Sequence, residues 1–398
     1  MLLGLVGKPS VGKSTFFKAA TLAEVDIALY PFTTIKANHG VGYVKVNCID
    51  KEFGVQCNPN HGYCVNGARF VPVELMDVAG LVEGASEGKG LGNQFLDDLR
   101  KADVFMHIVD ASGTTDIEGK PTEGHNPCED ILMLDKELDK WYYNIFMKAW
   151  KTFARKAELE SKQQGGPSFA NAVATQFSGL KVNEDQVKEV LLKLKLDGSP
   201  SNWKEDQIMQ FASSLRKVTK PMIIAANKCD FPTAEENIKK LRKKFPDYLI
   251  YLCSADSELA LRQAAKAGLI EYIPGEKDFK IIGDLNDSQK KGLDKIKKNV
   301  LDKYNGTGVQ EILNASVFDL LGYLAIFPAS ANKLEDSKGN ILPDCFLLPK
   351  GSTALDFAYF LHTDFGKNFI RAINARTKRA LGKDYELQNC DALEIVCG

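Results

Sequence analysis

Met1-Leu-Leu-Gly-Leu-Val-Gly7-Lys8-Pro9-Ser10-Val11-Gly12-Lys13-Ser14-Thr15 is an apolar run feeding a G-x-x-x-x-G-K-S loop. A helical apolar pattern (Phe16, Phe17, Ala19, Ala20) follows, so the segment reads as strand, phosphate loop and helix. Gly7 and Gly12 let the backbone turn its N–H groups inward around a polyanion, and the helix aims the positive end of its dipole at the same point. The expected nucleotide contacts are therefore Gly7, Lys8, Pro9, Ser10, Val11, Gly12, Lys13, Ser14 and Thr15. Lys13 is the expected catalytic cation, bridging β- and γ-phosphates. Ser14 is placed to offer its hydroxyl to Mg²⁺, and Thr15 to contact the α-phosphate.

Working outward, Tyr30-Pro31-Phe32-Thr33-Thr34 is broken by Pro31 and carries hydroxyls where a switch loop would present one. Thr34 is expected to reach the metal and the γ-phosphate. Gly40 to Val46 and Arg69 to Met76 alternate as paired strands do, and the second ends in Asp77-Val-Ala-Gly80. A carboxylate at a buried strand's tip can hold the metal's water shell, while Gly80 donates its N–H to the terminal phosphate. The glycine-rich stretch from Glu83 to Phe95 has the composition of a loop that orders around a ligand. Val104 to Asp110 reads as a buried strand in which His107 is a packed core residue.

A further strand, Pro221 to Ala226, ends in Asn227-Lys228-Cys229-Asp230. Asp230 can accept two hydrogen bonds from guanine's N1–H and exocyclic amine, a donor pair adenine lacks. Asn227 is expected to tie this loop to the phosphate loop, and the Lys228 stem to lie along the purine. A last strand, Tyr248 to Cys253, leads into Ser254-Ala255, where a backbone N–H could meet the base oxygen.

About 150 residues separate Asp77 from Asn227, against roughly 30 for one βαβ unit, so something is inserted. Helical patterning at Ile131 to Ala157, Glu184 to Leu196 and Trp203 to Val218 suggests a hairpin of long helices. The expected division is a nucleotide domain over 1–114 and 220–275, a helical insertion over 115–219, a helical connection over 276–322 and a compact α+β module over 323–398. That module carries Lys367, Arg371, Arg376, Lys378, Arg379 and Lys383 without an acidic residue between them, either a phosphate-backbone patch or solubilising charge.

Composition narrows the class. The chain has 398 residues, 44% hydrophobic and 26% charged, with Lys+Arg 51 against Asp+Glu 52 and a net charge of -1. A nucleic-acid surface must then be local rather than a global field. No apolar run is long enough to span a bilayer. The nine cysteines are odd in number and scattered, and Lys8 interrupts the opening apolar run as no signal peptide would allow, which points to a reducing, cytoplasmic setting. Cys57-x-x-x-His61-x-x-Cys64 with Cys48 upstream suggests a metal clip, but the spacing fits no usual zinc knuckle and leaves a fourth ligand unassigned. Ordinary thiols in a loop are the favoured reading.

With these motifs in order, the chain resembles GTPases of the Obg-related family. Tyr30-Pro-Phe-Thr-Thr34, Asp77-Val-Ala-Gly-Leu-Val82, Gly84-Ala85 and Gly90-Leu-Gly-Asn-Gln-Phe95 match that family's switch regions. Leu348-Pro-Lys-Gly-Ser-Thr353, Asp356-Phe-Ala-Tyr359 and His362-Thr-Asp364 are similar to the TGS domain. The likeness is to the archaeal and fungal branch related to YchF-type proteins. It implies an α/β P-loop G domain with a mostly helical insertion, followed by a small α+β TGS domain of β-grasp fold. It further implies a switch that turns GTP into GDP and phosphate with Mg²⁺, held by Ser14, Thr34 and Asp77, and that meets ribosomes or RNA. A GTP-stabilised binding module with incidental hydrolysis is the alternative. YchF-type proteins have altered the guanine-reading motif and tend to prefer ATP; the intact Asn227-Lys-x-Asp230 here implies GTP. Ser10 stands where relatives that use potassium carry Asn, which puts potassium activation in doubt. Leu81, not Gln, follows Gly80, so slow intrinsic turnover is expected, with Gln94 a weak substitute for the water-orienting group.

Overall fold

Leu2–Val6 (β1) is buried along its whole length, as are Val104–Asp110 (β5) and Met222–Asn227 (β6). Continuous apolar runs of this kind belong to parallel strands covered on both faces. In the computed structural model, which describes residues 1–22, 38–78, 99–163, 166–196, 199–330, 334–336, 339–342 and 344–398, they do run parallel. β1 pairs with β5, β5 with β6, and β6 with Leu249–Leu252 (β7). Contacts divide the chain into two units, residues 1–17 with 76–256 and residues 18–75 with 257–398.

In the first unit, the carboxyl ends of β1, β5, β6 and β7 share one edge, the place where open α/β sheets bind ligands. The end of Ala68–Asp77 (β4) reaches that edge too, the Val78 N–H donating to Leu5 O at 3.1 Å. The helix Lys13–Thr21 (α1) begins at the loop leaving β1.

The insertion belongs to this unit and differs from a hairpin of long helices. Its described residues form Cys128–Met147 (α2), Trp150–Ser161 (α3), Phe169–Gln176 (α4), Glu184–Leu194 (α5) and Glu205–Thr219 (α6). The long pattern from Ile131 breaks at Ala149, whose φ of -127° leaves helical geometry. That break lets Trp150 stack on Trp203, ring centroids 5.6 Å apart, and donate its indole N–H to Pro200 O at 3.2 Å. Phe146 packs against Phe177 at 4.0 Å and Phe211 at 5.7 Å. The long helices α2 and α6 are clamped by the buried Arg216 guanidinium, 3.0 Å from Asp135 and 2.8 Å from Asp139.

In the second unit, His39–Asn47 (β2) lies next to β4, and Tyr63–Val65 (β3) pairs antiparallel with β4. Among the described residues β2 ends the strand order, and side-chain amides meet its backbone. From the helix Val309–Asn314, Gln310 Nε2 donates to Tyr43 O at 2.8 Å. Asn314 accepts from the Lys45 N–H at 2.8 Å and donates to Lys45 O at 2.9 Å. Such a cover blunts an edge that could otherwise template another chain.

The C-terminal module is a sheet in the order β9 (Phe346–Pro349), β8 (Tyr323–Pro328), β12 (Asp391–Cys397), β10 (Phe369–Asn374), β11 (Ala380–Leu381). β8 and β12 are parallel at its centre and the flanking pairs are antiparallel. The helix Ala354–Leu361 is opened by a Thr353 cap that accepts from the Asp356 N–H at 3.2 Å. Its Phe357 joins Ile326, Leu348, Leu387 and Leu393 in a small core. Among the described residues no helix is long and apolar enough to cross a membrane.

Trp150→Ala should destabilise the first unit by about 3–5 kcal/mol, because the ring is 2% exposed, stacked on Trp203 and packed against Phe146, Phe153, Phe169 and Phe211. Urea unfolding of the full chain followed by circular dichroism measures it.

Candidate functional site

The loop from Gly7 to Gly12 holds its shape because two positions exclude a side chain. Gly7 has φ 148° and a Cβ there would lie 2.5 Å from Ile108 O. Gly12 has φ 96° and a Cβ would lie 2.4 Å from Asn227 Nδ2. Both are values that favour glycine. Ser10, at φ 64°, takes the left-handed turn between them.

Asn227 closes the site from the far side. Its Nδ2 donates to Val11 O at 2.8 Å, and its Oδ1 accepts the Ala255 N–H at 3.0 Å. One buried amide thereby joins the phosphate loop, the end of β6 and the Ser254-Ala255 turn. Asp230 is oriented by Ser254, whose hydroxyl donates to Oδ1 at 2.9 Å. The Cys229 N–H donates to Cys253 O at 3.1 Å, holding the two loops together behind that pair.

At the phosphate end, Lys13 Nζ donates to Lys8 O at 2.9 Å. Burial lowers its pKa from the ordinary ammonium value, and Asp77 opposes the shift. Ser14 Oγ donates to Asp77 Oδ2 at 3.0 Å, so two of the three expected metal ligands stand together. Their donor atoms are hard oxygens, the kind Mg²⁺ takes. Ser14 and Asp77 would hold the ion and it would supply charge neutralisation for the phosphates. Thr34, Gly80, Leu81 and Gln94 lie outside the described residues.

Lys8 serves the loop with its main chain only. Its ammonium is 2.9 Å from Asp130 and 2.8 Å from Thr115 O, wholly buried. His125 Nε2 also meets Asp130, at 2.7 Å. His107, buried as expected, is pushed down to about 3 by burial and by the neighbouring charges of Lys13 and Lys8, and stays neutral.

Asp110 is the site residue that sequence reading passed over. It ends β5 in register with Asn227, and its carboxylate accepts from Ser112 N–H at 3.0 Å, Thr115 Oγ1 at 2.7 Å and Lys228 Nζ at 2.8 Å. Burial pushes this carboxyl up, but the hydrogen bonds from Lys228, Ser112 and Thr115 leave it below its ordinary value. Lys228, itself at φ 61°, is thus anchored by its tip, and only the methylene stem is left to lie along a base. The signal was present: an Asp at a buried strand's carboxyl end, as at Asp77.

Three family models match the chain: "50S ribosome-binding GTPase" over residues 2–144, "Obg-like GTPase YGR210-like, G4 motif-containing domain" over 225–331, and "TGS domain" over 337–397. An uncharacterized GTP-binding protein of Methanocaldococcus jannaschii is 49% identical over 398 residues, covering 99% of this chain and 98% of that protein. An uncharacterized GTP-binding protein of Schizosaccharomyces pombe is 38% identical over 366 residues, covering 89% and 88%. Among solved structures, a GTP binding protein from Pyrococcus horikoshii aligns with TM-score 0.79 and 43% identity over 100% of both chains.

Asn227→Ala removes two hydrogen bonds and strands Val11 O. It should weaken nucleoside triphosphate binding about 10- to 100-fold in calorimetry. Gly12→Ala should abolish binding, since the added methyl meets that same amide.

Proposed function

The chain belongs to the Obg-like family of P-loop GTPases, and from that premise we propose that it binds GTP with Mg²⁺ and hydrolyses it slowly to GDP and phosphate. We propose further that the two nucleotide states switch its engagement of a ribosome or RNA. The observation that carries the reading is the Asn227 amide, which couples the phosphate loop to the loop bearing Asp230. A kinase that ignored the base would have no use for that coupling. The Ser254 hydrogen bond presets the Asp230 carboxylate to receive guanine's two donors.

In the proposed reaction, Lys13 meets charge developing on the γ-phosphoryl group, and the loop's inward N–H groups orient the triphosphate. Thr34 and Gly80 are the residues proposed to fix the γ-phosphate. Ser10 offers no carboxamide for a potassium ion. The family match named for 50S ribosome binding supports a ribosomal partner.

The C-terminal module supports the same partner class with a different surface. Lys367, Arg371, Arg379 and Lys383 are exposed, and exposed apolar side chains accompany them: Tyr359, Phe360, Phe365 and Ile370. Cations with aromatic faces suit RNA. Arg376 is withdrawn from the expected patch. Its guanidinium is 2.6 Å from Glu52 and donates to Cys390 O at 2.8 Å.

Calorimetry should show GTP bound far more tightly than ATP, and Asp230→Asn should cost at least about 100-fold in GTP affinity; equal affinities would overturn the assignment. Intrinsic turnover should be on the order of 10⁻⁴ s⁻¹ and rise with ribosomal particles. GTP-dependent binding without stimulation would favour the assembly-module alternative. Charge reversal at Lys367, Arg371 and Arg379 should weaken RNA binding and flatten its salt dependence.

A further inference from the structure

We propose that Cys48, Asp50, Cys57 and Cys64 form a structural zinc site in the second unit, with three thiolates and one carboxylate as ligands. Their four donor atoms lie within 4.8 Å of one another. The spacing is that of ligands sharing an ion. With Zn–S near 2.3 Å, neighbouring donors in a tetrahedron stand about 3.8 Å apart. Here Cys48 Sγ is 3.6 Å from Cys57 Sγ, and Cys64 Sγ is 3.8 Å from Asp50 Oδ2. A disulfide would bring two sulfurs to about 2.0 Å.

Asp50 supplies the independent argument. It is 0% exposed, and among the described residues its Oδ1 has no hydrogen-bond partner. Its Oδ2 meets, among the same residues, weak or long donors: the Cys57 N–H at 3.4 Å and the Cys64 thiol. A carboxylate buried in that condition is costly unless a cation completes it. Zinc suits the donor set, since soft thiolates with a single carboxylate exclude Mg²⁺ and Ca²⁺. Cys64 is paired across the β3–β4 hairpin with the wholly buried Arg69, which offsets part of the negative charge the four ligands bring.

The ligands are delivered by three different pieces of chain. Cys48 and Asp50 flank the start of the 3₁₀ turn Ile49–Phe53, Cys57 lies in the loop after it, and Cys64 is on β3. Gly62 makes the turn into β3, at φ 76° with a Cβ that would lie 2.0 Å from Phe70 O. The ion would staple a loop that otherwise has little apolar core of its own, and this is the loop on which the C-terminal segment rests. Asn58 exchanges hydrogen bonds with Ile341, its N–H donating to Ile341 O at 3.1 Å. Arg69 Nη1 donates to Leu342 O at 3.1 Å, and Arg376 pairs with Glu52. His61, the ligand that the sequence spacing suggested, is not one of the four.

The proposal stands apart from the nucleotide reading, and its test uses the full chain purified under reducing conditions. Elemental analysis should find zinc in about a one-to-one ratio to protein. Exchange for Co²⁺ should give visible d–d bands of tetrahedral intensity and a near-ultraviolet thiolate charge-transfer band. Cys57→Ser and Cys64→Ser should each remove the charge-transfer band or shift it. Asp50→Asn should weaken the metal at least about 10-fold in competition with a chromophoric chelator. Cys397→Ser should change none of these. If a ligand variant fails to fold, the Co²⁺ spectrum of the unaltered protein still decides. Wild-type protein that holds no zinc and gives no thiolate band on Co²⁺ titration, or that isolates with a Cys48–Cys57 disulfide under reducing conditions, would overturn the site.

Discussion

The first unit depends on one carboxamide. Asn227 reaches from the end of β6 to accept the Ala255 N–H and to donate to Val11 O, and no charged side chain could do both at once. Each of the groups it satisfies belongs to a loop that would otherwise leave a buried polar atom unpaired, at a cost of about 1–3 kcal/mol apiece. Gly12 is glycine partly because this amide occupies the space a methyl would need. The loop from Gly7 to Gly12 and the turns at Asp230 and Ser254-Ala255 are therefore one cooperative object.

Around that amide, charge is arranged in two tiers. Ser14 is exposed and Asp77 half-buried, with the buried Lys13 beside them. Behind them, the buried pair of Lys8 with Asp130 and the half-buried pair of Lys228 with Asp110 set the course of the backbone and of one lysine stem. Buried pairs of this kind contribute less to net stability than to holding one geometry. His107, neutral among these lysines, adds no charge to the interior.

The second unit solves a different problem. Its edge strand β2 and its cysteine loop both present groups that need partners, and the partners come from far along the chain: Gln310 and Asn314 for the strand, Ile341, Leu342 and Arg376 for the loop and hairpin. The C-terminal module is thereby tied to residues near 50–70 through hydrogen bonds and one ion pair. Its exposed aromatic and basic residues flank Arg376, the one cation of that stretch that the ion pair with Glu52 draws off.

By itself, the sequence determined what is encoded locally. The glycine loop after β1, the strands ending at Asp77, Asp110 and Asn227, the Asn227-Lys-x-Asp230 turn and the Thr353 cap are legible because turn chemistry, period and capping act within a few residues. The order of motifs carried the family. What the tertiary structure alone decided are pairings between distant positions: the Lys8 ammonium turned inward to Asp130, Arg376 taken out of the basic patch by Glu52, and Asp50 rather than His61 gathered with the three cysteines. The insertion's helices also broke where Trp150 had to reach Trp203 and Pro200, not where periodicity ended. A side chain's task depends on which buried group most needs it, and that competition is settled only once remote segments have packed.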